Sequence, residues 1–398
     1  MILLTISLIS LGIWLYLLGF WGKFWRTEER LETQAIKLES YPPIAIIIPA
    51  RNEAELLPQT LRSLLLQDYP GDYSIVLIDD GSTDETAEVA IAISLSARHE
   101  VIAQELSVTN KLKVIQSQAL PVGWTGKLWA IQQGINYAQQ QTPTPKYFLL
   151  TDADIEHSKN NLQQLVIKAE LEQKNLVSLM VLLRCQSFWE KLLIPAFVFF
   201  FQKLYPFAWV NDPRKQIAAA AGGCILINSQ ALDQIGGIDV IKQALIDDCS
   251  LAKVIKQSNF QDKSIWLGLS DSTHSLRPYD RLETIWSMVA RTAYTQLNYS
   301  PTLLIGTIIG MSLVYLIAPV SLITGIVTTN WLLAMIGLLT WLLMLIAYLP
   351  TIKLYQISLW WALSLPAIAL LYTLMTIDSA IQFWQGKGGN WKGRVYKN

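Results

Sequence analysis

The chain is short of charge. Only 16% of its 398 residues are Asp, Glu, Lys or Arg, and 31 basic residues balance 31 acidic ones. Without a basic excess there is no footprint for phosphate neutralisation, so nucleic acid is excluded as a partner class. Cysteine is scarce as well. Cys185, Cys224 and Cys249 lack metal-ligand spacing and cannot pair evenly, which points to a reducing compartment and ordinary packing. No Lys or Arg precedes Lys23, so the apolar start lacks the basic head of a signal peptide, and no small-residue cleavage site comes after it. What the chain has in excess is apolar surface: 52% hydrophobic residues and 15 Trp, a residue favoured at membrane interfaces.

That excess sits at the two ends. Ile2 to Trp21 carries no charge and has about the 20 residues that cross a bilayer as a helix. Residues 1–22 therefore read as a retained anchor, and Lys23, Arg26 and Arg30 favour a cytosolic position for the middle of the chain. Leu303–Val327, Trp331–Leu349 and Leu359–Ile377 are three further runs of spanning length, the first two separated only by "TTN", which predicts a hairpin. Each alone is also compatible with a buried core helix; three in series after a charged middle favour transmembrane helices over 303–384. With the middle in the cytosol, three crossings leave the basic tail 385–398 (Lys387, Lys392, Arg394, Lys397) outside, against the positive-inside rule. Either Leu359–Ile377, with Pro366 inside it, stops short of a full crossing, or the tail is exported.

Between the ends, residues 43–270 read as an α/β domain. Apolar runs "IAIII", "SIVLI", "KLKVI" and "YFLL" alternate with helical periodicity, as in Leu56, Thr60, Leu61, Leu64 and Leu65. Continuous apolar strands indicate a mostly parallel, Rossmann-like sheet covered on both faces, whose ligands bind beyond the strand carboxyl ends. Polar clusters come after these strands repeatedly: "PARNEAE" after the first, "DDGSTDET" after the second, "TDAD" after "YFLL". Asp84 is a candidate helix cap, and "DDGS" alone makes a good turn. Asp152 and Asp154 share one parity on an extended chain and raise each other's pKa when close, so they read as metal ligands, turn residues or an acid/base dyad. Downstream, "ALIDDCSLAKVI" sets Asp247 and Asp248 at a helix start, and the small residues of "AAAAGGCILI" permit close backbone approach before a strand.

Taken in order, "PARNE", "DDGSTD", "TDAD" and "IDDCSL" resemble the motifs of family 2 glycosyltransferases with a GT-A fold. "GWTGKLWA", "AAAAGGC" and "ALIDDCSLA" resemble, more narrowly, the hopene-associated glycosyltransferases of hopanoid-making bacteria. The resemblance implies a divalent metal, Mg2+ or Mn2+, at Asp152 and Asp154, with Asp154 as the direct ligand, neutralising the leaving diphosphate. It implies a nucleotide pocket of Pro49, Arg51, Glu53, Asp79 and Asp80, with Lys127 as a candidate point charge on the diphosphate. Asp248 becomes the general base of a single inverting displacement, supported by Asp247 where relatives carry Glu. The processive pattern Q-x-x-R-W is incomplete: Arg291 is present, but Met288 and Thr292 flank it. Arg291 is left between a phosphate contact and an interfacial side chain, and Trp391 and Arg394 resemble a C-terminal element of lipid-directed relatives.

Phe188 to Val210 is aromatic and interrupted by Pro195 and Pro206, so it reads as a membrane-interfacial segment. Residues 271–302, with "RLETIWSMVARTAYTQLNY", form a second interfacial region. The expectation is an integral membrane enzyme of a bacterial inner, plasma or internal membrane, its catalytic domain in the cytosol. It would move a sugar from a nucleotide sugar, UDP-linked by family habit, to a lipid hydroxyl, a hopanoid or related polyprenoid lipid first. A processive polysaccharide synthase, a polyprenyl-phosphate sugar synthase, and a non-catalytic scaffold with a relict nucleotide fold are the alternatives.

Overall fold

The computed structural model describes residues 1–31, 36–102, 111–258, 265–387, 390–391 and 394–395, leaving aside the side chains of 96–102, 390–391 and 394–395. The chain divides into two compact units, one of residues 29–183 and 209–277, the other of 1–28, 184–208 and 278–398.

The first unit is built on one eight-stranded sheet. Its strands are β1 (Ile44–Ala50), β2 (Tyr73–Asp79), β3 (Leu112–Gln116), β4 (Tyr147–Thr151), β5 (Ile155–Glu156), β6 (Leu176–Leu182), β7 (Cys224–Asn228) and β8 (Ile265–Ser275). Their order is β3-β2-β1-β4-β7-β6-β8-β5. β1 is parallel to β2 and β4, β2 to β3 and β6 to β8, whereas β7 runs antiparallel to β4 and β6. Every residue of β1 and β4 is buried, as uninterrupted apolar strands require when both sheet faces are covered. The helix Leu57–Leu65 buries Leu57, Thr60, Leu61, Leu64 and Leu65. Its apolar face starts one residue later than the periodicity predicts, because Leu56 is the N-cap and Pro58 lies in the first turn.

The parallel register sets Ala50 opposite Asp79 and Ile47 opposite Leu150, so the three polar clusters emerge at one edge of the sheet. The expected domain limit at residue 270 falls inside β8, which continues to Ser275 and pairs antiparallel with β5. The first unit accordingly closes at Arg277.

Among the described residues of the second unit, four helices are long and apolar enough to cross a membrane: Ile2–Phe20, Pro301–Val327, Trp331–Leu354 and Leu359–Trp384. Pro366 begins a helix rather than breaking one. A 3-10 turn over Leu359–Ser364 precedes it, and Pro366 sits in the first turn of Leu365–Trp384, where its missing N–H is not needed. Phe188–Leu204 is a single helix that passes Pro195, opened by a capping box between Ser187 and Glu190. At 17 residues it is short for a span.

The hairpin predicted at "TTN" forms, with the Asn330 side chain accepting from the Leu333 N–H at 3.2 Å. Its two helices touch backbone to backbone at Gly337. A Cβ there would lie 2.5 Å from Leu322 N and 2.7 Å from Ala318 O. Overpacking of this kind costs about 1–3 kcal/mol. We expect Gly337→Val to lower the thermal midpoint in detergent by a few degrees, and Gly310→Val, where nothing lies within 4 Å, to leave it unchanged.

Candidate active site

The carboxylates gather on one ammonium. Lys127 stands in the first turn of the helix Gly126–Gln139, whose N-cap Thr125 accepts from Leu128 N. Its Nζ lies 3.0 Å from Asp152 Oδ1 and 3.2 Å from Asp247 Oδ2. Asp152 comes directly after β4, and Asp247 opens the helix Asp247–Gln257. Burial alone would lower the Lys127 pKa; the charges of Asp152 and Asp247 overturn that and hold the ammonium well above its ordinary range.

Asp248, next on the same helix, is held by backbone. Its Oδ2 accepts from Gly222 N at 2.9 Å and its Oδ1 from Cys249 N at 2.7 Å. Burial, then the charge of Asp247, push its pKa up to about 6 against the pull of Lys127 and the two N–H donors. The small-residue run borders these groups: a Cβ at Gly222 would lie at ordinary contact distance, 3.4 Å, from Asp248 Oδ2 and Lys127 Nζ. A cavity lined by Pro49, Lys127, Asp152, Gly222, Asp247 and Asp248 joins these groups.

Asp152 and Asp154 differ in setting. Asp152 is partly open, and burial raises its pKa, with Lys127 opposing and Asp154 adding to the rise. Asp154 is buried and receives Arg277 Nε at 2.8 Å on Oδ2. Arg277 also reaches Glu53 Oε1 with Nη2 at 2.6 Å. Among the described residues no three His, Cys, Asp or Glu side chains converge as a metal cage. Asp152 and Asp154 would fit a hard cation in another way, as one or two carboxylates of a shell that phosphate oxygens complete.

The loops after β1 and β2 are zipped together. Asn52 N donates to Ser82 Oγ at 3.0 Å, Glu53 N to Thr86 Oγ1 at 2.9 Å and Ala54 N to Asp84 Oδ2 at 3.1 Å. Arg51 Nη1 donates to the carbonyls of Asp80 and Gly81. Asp79 Oδ1 accepts from Ser82 and Oδ2 from Gln116 Nε2 at 2.9 Å, and Asp80 is buried beside it. Asp84 caps the helix beginning at Thr86, as its position suggests. Pro49, Arg51, Glu53, Asp79 and Asp80 thus share this sheet edge. Arg291 lies in the other unit, exposed, at the C-cap of the helix Leu282–Ala290. The backbones of Trp391 and Arg394 pair in a two-stranded ribbon of β9 (Asn390–Trp391) and β10 (Arg394–Val395), and their side chains lie outside the described residues.

Two residues here carry no role in the sequence reading. Arg277 is brought in by register: β5 pairs Ile155 with Ser275, and Leu276 N donates to Asp154 O at 2.8 Å. His157 is buried beneath the acidic turn. Its Nε2 lies 2.9 Å from Thr151 Oγ1, which itself donates to Gly223 O, and its Nδ1 lies 2.9 Å from Asn161 Nδ2. This chain of bonds assigns the ring proton to Nε2 and ties the end of β4 to the Gly222–Gly223 turn.

The comparisons with known proteins agree with this geometry. Residues 45–236 match the family described as Glycosyl transferase family 2. A 4,4'-diaponeurosporenoate glycosyltransferase of Staphylococcus aureus (strain N315) is 40% identical over 63 residues, 16% of each chain. A beta-monoglucosyldiacylglycerol synthase of Nostoc sp. (strain PCC 7120) is 24% identical over 218 residues, 53% of this chain and 41% of the relative. The chain thus spans less than half the length of these curated relatives. Among solved structures, a mannosyltransferase from Pyrobaculum calidifontis in complex with GDP-Man and Mn2+ superposes with a TM-score of 0.53 at 16% identity, covering 96% of this chain and 99% of that one.

Burial, the only cause, lowers the His157 pKa from 6.5 to about 3, so the ring is neutral in the folded state. The unfolded chain takes up a proton below 6.5 and the folded one does not. Stability from this group is therefore complete above 6.5 and lost as pH falls toward 3. We expect His157→Gln to flatten the acid limb of the stability profile by up to ~1.4 kcal/mol per pH unit, read by denaturation in detergent. Residues 45–236 thus match Glycosyl transferase family 2, and the chain shares the GT-A fold of the solved mannosyltransferase.

Proposed function

We propose that the chain is a membrane-bound, inverting, non-processive glycosyltransferase that moves one sugar from a nucleotide-sugar donor to a lipid hydroxyl. The observation that carries this reading is Asp248: a buried carboxylate, fixed by two backbone N–H groups, beside Lys127, Asp152 and Asp247 at the carboxyl edge of the sheet.

The acceptor hydroxyl gives its proton to Asp248 as its oxygen bonds to the anomeric carbon, and the bond from that carbon to the diphosphate breaks. Gly222 N–H and Cys249 N–H keep the carboxylate from turning away. Lys127 faces the departing diphosphate with a charge that its two aspartates keep protonated. Asp152 and Asp154 would hold Mg2+ or Mn2+, which supplies neutralisation of the leaving diphosphate when bound. The zipped loops carrying Arg51, Glu53, Asp79 and Asp80 form the nucleoside side of the pocket. One base and one displacement give inversion, in contrast to two-carboxylate retaining schemes.

Four spanning-length helices among the described residues and the names of the two curated relatives, a diaponeurosporenoate glycosyltransferase and a monoglucosyldiacylglycerol synthase, support a lipid acceptor. The motif resemblance favours a hopanoid or related polyprenoid lipid. A UDP-sugar is the first donor to try and a GDP-sugar the second, since the solved neighbour holds GDP-Man. Lys23, Arg26 and Arg30 after the first span favour a cytosolic catalytic unit in a bacterial inner, plasma or internal membrane.

The test is donor binding and transfer by the full chain in detergent, with a panel of nucleotide sugars and a host lipid extract. Asp154→Ala is expected to lose metal-dependent donor binding. Asp248→Asn is expected to bind donor and to transfer about 10³-fold more slowly. Wild-type kcat/KM should rise tenfold per pH unit below about 6 and level above it, because only the ionised Asp248 accepts the proton. Full transfer by Asp248→Asn would remove the base assignment, and failure of every donor to bind would favour the scaffold alternative.

A further inference from the structure

Arg277 stands where two carboxylates of the site need a counter-charge. Glu53 and Asp154 both retain 9% side-chain exposure, and the guanidinium between them retains 29%. One edge of the fork serves each: Nε to Asp154 at 2.8 Å, Nη2 to Glu53 at 2.6 Å. Ser275 Oγ adds a 3.4 Å contact to the same Asp154 oxygen. The contact is built into the sheet, since the β5–β8 pairing continues through Leu276 N to Asp154 O. Glu53 belongs to the loop zipped to residues 82–86. One arginine therefore links the acidic turn after β4 to the nucleoside loops after β1 and β2.

We propose that Arg277 makes binding of the divalent cation and of the nucleoside diphosphate depend on each other, by holding Asp154 until a diphosphate is there to receive its guanidinium. This rests on the assignment of Asp152 and Asp154 to the metal under the proposed function. A cation arriving alone at Asp154 meets a like charge about one hydrogen bond away, and displacing it leaves a guanidinium without that acceptor in a partly buried place. A cation arriving with a diphosphate brings a replacement, because a phosphate accepts the planar fork as well as a carboxylate does. Glu53 retains its end of the fork, so the shift at Asp154 is a swing about an anchored group. The result is a site that takes cation weakly by itself and firmly together with nucleotide. Lys127 does not have this character: its two aspartates belong to the end of β4 and to the helix of the base, and neither lies on the nucleoside loops.

The experiment is Mn2+ binding to the full chain in detergent, monitored by electron paramagnetic resonance of the free ion, with and without saturating UDP or GDP. For wild type, nucleotide should tighten Mn2+ by about tenfold or more. In Arg277→Gln, Mn2+ alone should bind about tenfold tighter than in wild type, and the tightening by nucleotide should shrink to a few-fold. Arg277→Lys keeps the charge but has no fork to span both carboxylates, so its coupling should also shrink while its affinity for Mn2+ alone stays nearer wild type. It decides the matter if the Gln variant melts early. A purely structural arginine would weaken Mn2+ and nucleotide in parallel and leave their coupling unchanged, which overturns the inference. If the wild type binds neither Mn2+ nor any nucleoside diphosphate, the proposed function itself fails. If it binds both and Arg277→Gln matches it, only the role of Arg277 is lost.

Discussion

The site depends on one ammonium group. Asp152, Asp247 and Asp248 come from two places far apart in sequence, and a cluster of like charges in a partly buried corner is costly unless something compensates. Lys127 compensates two of them directly and lowers the third. Gly222 lies against both groups, its N–H bonded to the Asp248 carboxylate. His157, Thr151 and Gly223 hold that turn from beneath with neutral hydrogen bonds, so the support adds no further charge to a crowded place. Charge balance above and neutral bonding below are what allow three carboxylates to share one edge of a sheet.

Much of this is legible because strand and cluster are adjacent in the chain. β1, β2 and β4 are apolar runs long enough to recognise, and each hands its last residue to a polar cluster. Parallel order then brings the clusters together without further information. The helix at Asp247 is legible for a related reason, acidic residues at a positive helix end. Arg277 is not. Its meaning lies in the pairing of a two-residue strand with the end of an eleven-residue one, and so short a strand has no periodicity to read. For the same reason sequence reading stops the domain at 270, since "SDSTHS" is too polar to look like the continuation of a buried strand. The one-position error at Leu56 arises because a cap and a first helical residue have the same apolar character in this sequence. Pro366 resembles a breaker because a proline in the first turn and one in the interior look alike until the start of the helix is known.

The apolar unit is specified by fewer polar contacts, each with a clear partner. A π turn over Ser312–Leu316 interrupts the regular bonding of its helix, and Trp14 of the first span donates its indole N–H to Val314 O at 2.7 Å. The same indole meets Tyr315 edge-on at 5.5 Å, and Ser7 and Ser321 pair at 2.6 Å. Each such bond fixes a rotation and a height that apolar packing alone leaves loose. The N-terminal helix is therefore more than a tether: Ser7 and Trp14 set the face it turns toward the later helices.

The division of the chain has a consequence for the order in which the protein is made. Residues 184–208 leave the first unit and belong with helices that come much later in the chain. Phe199 packs on Tyr348, and Leu193 O waits for the hydroxyl of Tyr372. For the time it takes to synthesise the intervening residues, the aromatic face of Phe188–Leu204 lacks these two partners, while the strands on either side of it can already pair. The nascent chain thus carries an unshielded apolar helix between strands that can already pair.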